Sequence, residues 1–113
     1  MTHSIQERTI VLSNGKLASF PYPIADAIDF DDAEVVAVRL KIPPKGQFNE
    51  NIFGVDFDGS IRWQIPEVRH VGPDSPYTAM RRVGSHLEAD NWDGLVLTVE
   101  PKTGVILRQN YQK

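Results

Sequence analysis

The chain of 113 residues contains no cysteine. That excludes a disulfide scaffold, thiolate zinc sites and thiol catalysis, and it fits a reducing compartment. No apolar run approaches the ~18–20 residues that cross a membrane. The opening residues MTHSIQER lack the basic start and apolar stretch of a signal peptide, so a cleaved leader is not expected. Positive charge is also in short supply. Twelve Lys and Arg stand against fifteen Asp and Glu, a net charge of -3, which disfavours a nucleic-acid binder. The expectation is a single domain spanning residues 1–113, cytoplasmic, with no membrane and no nucleic acid among its partners.

Chemical signatures are equally scarce. His3, His70 and His86 are too far apart for a zincin helix, and His86-Leu87-Glu88 lacks the cysteines of a deaminase site. Gly84-Ser85-His86 is not a nucleophile elbow. Asp56-Phe57-Asp58-Gly59 begins like a calcium loop but lacks its later ligands and closing glutamate, so a turn is expected there. The glycines are spaced singly, as in hairpins, and not as in phosphate-binding loops. No catalytic residue, metal or cofactor is expected.

What the sequence does contain is punctuation. Asn14-Gly15, Asp58-Gly59 and Pro101-Lys102-Thr103-Gly104 each separate two short apolar runs, which predicts three hairpins. For Asn14-Gly15 the expected turn is type I′, with positive φ at both central residues; for Gly104 it is a type I turn followed by a left-handed glycine. In Val35–Ile42, Val36, Val38, Leu40 and Ile42 share one face and Arg39 and Lys41 the other, the period of a strand with one side wet. Ile61, Trp63 and Ile65 alternate in the same way, as do Leu95, Leu97 and Val99. A weaker strand is read at His86–Ala89, turning through Asn91-Trp92-Asp93-Gly94. Short helical turns are read at Pro23–Ile28 and Pro76–Arg82, and 66–85 as a long loop. The fold class is all-β: seven or eight antiparallel strands in hairpins and meanders, forming a small sandwich or partly open barrel with at most one or two short helices.

Two stretches are alike. Residues 51–63 (NIFGVDFDGSIRW) and 91–107 (NWDGLVLTVEPKTGVIL) both run through strand, glycine turn and strand. They resemble the blade repeat of β-propellers of the pyrroloquinoline-quinone-binding type, in which a W-D-G turn leads into a strand, an acidic residue, a T-G turn and a closing strand. The second stretch departs from that pattern at Glu100-Pro101 and lacks the closing tryptophan. The resemblance implies a blade-like meander; a closed propeller needs more chain than this. None of that family's cofactor or metal residues can be placed here. As a whole the chain resembles small bacterial proteins to which no function is assigned.

Candidate binding residues fall in two groups. Asp26, Asp29, Asp31, Asp32 and Glu34 put five acids within nine residues, readable as a solvated loop or as a docking patch for a partner with a basic surface. Trp92, at a turn, is the candidate anchor for such a partner, whereas Trp63 reads as core. The second group is Tyr77, Arg81 and Arg82, an aromatic beside arginines, suited to a small anionic ligand. Residues 1–60 carry nine acids and five bases and the remainder six and seven, a polarity that favours an oriented interaction or self-association. The expected function is a non-catalytic protein-interaction domain, of the immunity, antitoxin-like or assembly-subunit kind. Alternatives are a small-ligand-binding β domain and a hydrolase pairing His70 with Asp74 or Glu67. An uncovered sheet edge makes a homodimer a natural solution.

Overall fold

A computed structural model describes residues 1–43, 48–68 and 74–111. Among these residues eleven strands form three antiparallel sheets, and the one helical element is a 3₁₀ turn at Asp31–Ala33. The first sheet is a meander of β1 (His3–Gln6), β2 (Thr9–Leu12) and β3 (Leu17–Ser19). The middle sheet runs through β4 (Ile24–Phe30), β5 (Val35–Leu40), β6 (Ile52–Asp56) and β7 (Ile61–Gln64) in consecutive order. The third sheet repeats that plan with β8 (Tyr77–Val83), β9 (His86–Asn91), β10 (Leu95–Val99) and β11 (Ile106–Tyr111). The two look-alike stretches both fall on the third and fourth strands of their meander. No helix among the described residues is long and apolar enough to cross a membrane.

The sheets stack in three layers, and β5 shows why. Val36, Val38 and Leu40 pack with Ile10, Leu12, Ala18 and Phe20 of the first sheet's side, while Val35 and Ala37 pack with Leu87, Leu97 and Val99 of the third. The run Val35-Val36-Ala37-Val38 is therefore completely buried. A strand with one wet face was expected here. The middle sheet instead has both faces covered, so its strand reads as a continuous apolar run. The same stacking replaces the expected sandwich or barrel of seven or eight strands with three layers.

Both expected helical turns are strands. Pro23–Ile28 overlaps β4 and Pro76–Arg82 overlaps β8. Each carries a register shift, between Ile24 and Asp26 on β4 and between Tyr77 and Ala79 on β8. A bulge adds one residue to the count between inward-facing positions. Ile24 and Ala27, and likewise Tyr77 and Met80, thereby reach the core three apart, which is helical spacing carried by a strand.

The glycine hairpins are all present, with one change of turn. Gly15, Gly59, Gly94 and Gly104 have positive φ, whereas the non-glycine residues with positive φ among those described are Glu7 and Glu34. Asn14 is not among them, so its turn is not type I′. The Gly15 N–H bonds the Leu12 carbonyl and the Leu12 N–H the Lys16 carbonyl, with the Lys16 N–H on Asn14 Oδ1. The turn at Asp56–Ser60 repeats every one of these bonds, using Asp58 and Gly59. The Asn or Asp before the glycine thus serves as a local acceptor, closing a three-residue loop.

Trp63 joins the middle sheet to the third. Its indole lies against Gly54 on β6 and against Gly104 in the β10–β11 turn, and its Nε1–H donates to the Pro101 carbonyl at 2.7 Å. A Cβ on Gly54 would stand 2.2 Å from the indole. Gly54→Ala is expected to lower stability by about 3 kcal/mol through overpacking. Gly15→Ala meets no neighbour within 4 Å, and so should lose only the ~1–2 kcal/mol of a left-handed alanine. Urea unfolding followed by tryptophan fluorescence separates the two; equal losses would mean that the indole moves aside freely.

Candidate functional site

Trp92 is 72% exposed, at the tip of the β9–β10 turn. Its backbone is nevertheless held firmly. Asn91 Oδ1 accepts the N–H groups of Asp93 and Leu95, and the Gly94 N–H returns to the Asn91 carbonyl. From the other side, the Trp92 N–H donates to the Pro76 carbonyl at 2.9 Å and the Asp93 N–H to Ser75 Oγ at 3.2 Å. A large apolar side chain is thus presented to solvent on a fixed backbone.

The 74–77 segment that holds this turn is itself held by asparagines. The Asn51 side chain donates to the carbonyls of Leu40 and Tyr77 and accepts the Tyr77 N–H at 2.7 Å. The Ser75 N–H donates to Asn49 Oδ1. Asn51, Ser75 and Asn91 are the buried polar residues of the described chain. Asn51 stands where a neighbouring strand would, bridging the end of β5 to the start of β8.

That bridge creates a cleft of about 290 Å³ beside Trp92, lined by Arg39, Lys41, Ile42, Pro76 and Thr78 among others. Lys41 and Ile42 are shared with a second cleft of about 500 Å³, lined further by Arg8, Tyr22, Pro23 and Pro43. Together they form one open surface, apolar and aromatic, with cations along it. Arg39 is paired with Asp26 at 2.9 Å. Arg8 and Lys41 are exposed and make no ion pair among the described residues.

The structure does not gather the five acids into a loose loop. Asp26 and Asp29 lie on β4; Asp26 holds Arg39, and Asp29 Oδ1 meets His3 Nδ1 at 2.8 Å. Asp31 binds the Met1 amino group. Asp32 and Glu34 are exposed at the 3₁₀ turn and make no ion pair among the described residues. Asp29, Asp31, Asp32 and Glu34 flank the Val35 end of β5, roughly 20 Å along the strand from its Leu40 end and Trp92 at ~3.3 Å per residue, whereas Asp26 pairs opposite Arg39 beside the Trp92 cleft.

Tyr77, Arg81 and Arg82 are likewise dispersed. Tyr77 is in the core, and Arg81 is bound to Glu88 and to both carboxylate oxygens of Asp90. Arg82 lies over the Phe30 ring and donates to the carbonyls of Asp29 and Gly84. The three line three separate clefts. Arg62 is structural too, donating to Asp56 and to the carbonyls of Ala33 and Glu34. The His70 reading lies outside the described residues. The His3–Asp29 pair is a histidine oriented by a carboxylate, but no hydroxyl is bonded to its other ring nitrogen among the described residues. No group of three or more metal-ligating side chains occurs among them either.

Arg8, Tyr22, Lys41, Ile42 and Asn51 were not singled out by sequence reasoning. Lys41 and Ile42 entered only as strand positions, and Asn51 only as the residue that opens one look-alike stretch while Asn91 opens the other. A family model matches residues 1–111 of the chain. The chain belongs to the family described as a domain of unknown function, DUF7957. No curated protein and no solved structure matches it.

The buried tyrosine and asparagine of this DUF7957 chain make opposite predictions. Tyr77 Oη is buried with no hydrogen-bond partner among the described residues. Tyr77→Phe should therefore leave stability unchanged or raise it, since an unsatisfied hydroxyl is removed. Asn51→Ala strands three backbone groups and is expected to lose about 3 kcal/mol or more, at ~1–3 kcal/mol for each unpaired group. Burial, and secondarily Glu50, pushes the Tyr77 phenol well above the ordinary tyrosine range. The unfolded chain alone then ionises this group near pH ~10, so its contribution is complete below that pH and falls as pH rises beyond it. In Tyr77→Phe the alkaline loss should be smaller than in the wild type, measured as urea midpoints between about pH 8 and 11.

Proposed function

We propose that this domain is a non-catalytic protein-interaction module that anchors its partner on Trp92, with the partner presenting a segment both apolar and acidic to the adjoining clefts. The observation that carries the reading is Trp92 itself, exposed on a backbone fixed from two sides. Preorganised aromatic anchors of this kind dominate interface energetics, because little ordering is required when they dock. Exposed Lys41 and Arg8 supply the charge that an acidic segment would meet. A basic partner docking on the acidic run has less support, because Asp26, Asp29 and Asp31 are already engaged within the chain.

The test compares the tagged wild type with Trp92→Ala and Lys41→Glu, using soluble lysate of the source organism at two salt concentrations. A stoichiometric partner should bind the wild type, and its Kd should rise about 30-fold or more in Trp92→Ala, the ~2 kcal/mol of an anchor residue. Lys41→Glu should slow association and weaken its salt dependence. Neither change should move the urea midpoint. A partner held equally well by Trp92→Ala, or a column carrying the bait alone, would sink the reading.

A further inference from the structure

We propose that two copies of this chain pair antiparallel through β11, about a twofold axis at Gln109, to make one eight-stranded sheet. The other sheet edges are defended. In the first sheet β1 and β3 have four and three residues. β4 carries a bulge and two acids and bonds to His3 of β1. β7 has four residues, and its Arg62 and Gln64 side chains fold onto neighbouring carbonyls. β8 has a bulge, and Asn51 occupies both backbone groups of Tyr77. β11 also has a register shift, between Ile106 and Arg108, but no side chain among the described residues bonds to its backbone, and its six residues include no proline, glycine, lysine or acid. An edge of that kind is a template for another strand.

The sequence of β11 says which strand fits. Tyr111 pairs with Leu95 and Gln109 with Leu97 on the inner face, whereas Arg108 and Asn110 lie opposite Thr98 and Val96 on the outer face. Leu107 is the extra residue of the β11 bulge, between Arg108 opposite Thr98 and Ile106 opposite Val99, and by alternation from Gln109 and Arg108 it falls on the inner face. Yet Leu107 is 52% and Tyr111 59% exposed, because the middle sheet does not cover this edge. Residues paired across two strands must lie on the same face. That requirement leaves axes centred on a residue. An axis at Arg108 would set two arginines against each other, and one at Asn110 would leave Leu107 without an apolar partner. An axis at Gln109 places Leu107 opposite the partner's Tyr111 on each side of a Gln109 pair, and Arg108 opposite the partner's Asn110. The strand is complementary to itself in one register, the property of an isologous twofold interface.

The absence of native cysteine makes the test direct. Gln109→Cys brings two sulfhydryls to the axis, where opposed Cβ atoms lie ~4.5–5.5 Å apart, near disulfide reach. Mild oxidation should give a covalent dimer, while Asn110→Cys, facing Arg108 of the partner subunit on the other face, should stay largely monomeric. Sedimentation should show a concentration-dependent wild-type dimer. Gln109→Lys and Gln109→Glu should each be monomeric where the wild type is dimeric, and their equimolar mixture should restore the dimer. Circular dichroism confirms that these exposed substitutions leave the fold intact. A wild type that sediments as a monomer up to its solubility limit would overturn the proposal. Gln109→Lys dimerising like wild type, or Asn110→Cys cross-linking as readily as Gln109→Cys, would do the same.

Discussion

The stack depends on one indole. Trp63 leaves the edge strand of the middle sheet, lies across Gly54 and fills the space that Gly104 keeps open in the last turn of the third sheet. Two glycines give up side chains so that one large ring can be buried. At ~25 cal/mol per Å², the 150–250 Å² of a buried tryptophan is worth roughly 4–6 kcal/mol. Its hydrogen bond to Pro101 adds only about 1 kcal/mol net. Packing therefore holds the sheets together, and the bond fixes how the ring lies. Arg62, the next residue along, reaches the carbonyls of Ala33 and Glu34, so the 3₁₀ turn is tied to the same edge.

The opposite end of β5 is closed by different physics. There the contact between the middle and third sheets is made by amides, with Asn51 satisfying backbone groups of Leu40 and Tyr77 at once. Such a network adds little net energy when complete, but it penalises any displacement, because each stranded buried group costs about 1–3 kcal/mol. The tryptophan end supplies stability and the asparagine end supplies register. Trp92 sits on the register side, and the amide network is the reason that an exposed aromatic at a turn has a fixed position.

Legibility followed the range of the interaction. Hairpins were readable because Gly15, Gly59 and Gly104 act on their own immediate neighbours. Trp63 was readable as core and Trp92 as a turn residue, since strand alternation and turn placement are also local. The two bulges defeated the periodicity, turning β4 and β8 into apparent helices. Three layers were not readable from a β5 whose Arg39 and Lys41 suggest a wet face; those cations belong to the strand's end, where it leaves the stack for the cleft. The acidic run looked like a patch because its partners His3, Arg39 and the Met1 amino group come from other parts of the chain. Lys41 and Ile42 meet Trp92 only because Asn51 joins β5 to β8, a contact no local pattern announces.

The layering also says where an interaction can occur. The middle sheet is covered on both faces, which leaves the ends of the stack and the edges of the third sheet. The Trp92 cleft opens beside β8, and β11 is the opposite edge of that same sheet. Pairing through β11 would leave both clefts free, at the far ends of an eight-stranded sheet. With ~4.8 Å between neighbouring strands, seven spacings put the two outer edges roughly 34 Å apart. If each Trp92 anchors a partner as proposed, two such sites at that separation would favour a partner that is itself twofold or repeated, because the second docking event becomes intramolecular. Modest affinity at each tryptophan would then suffice, which suits open clefts better than a single tight site.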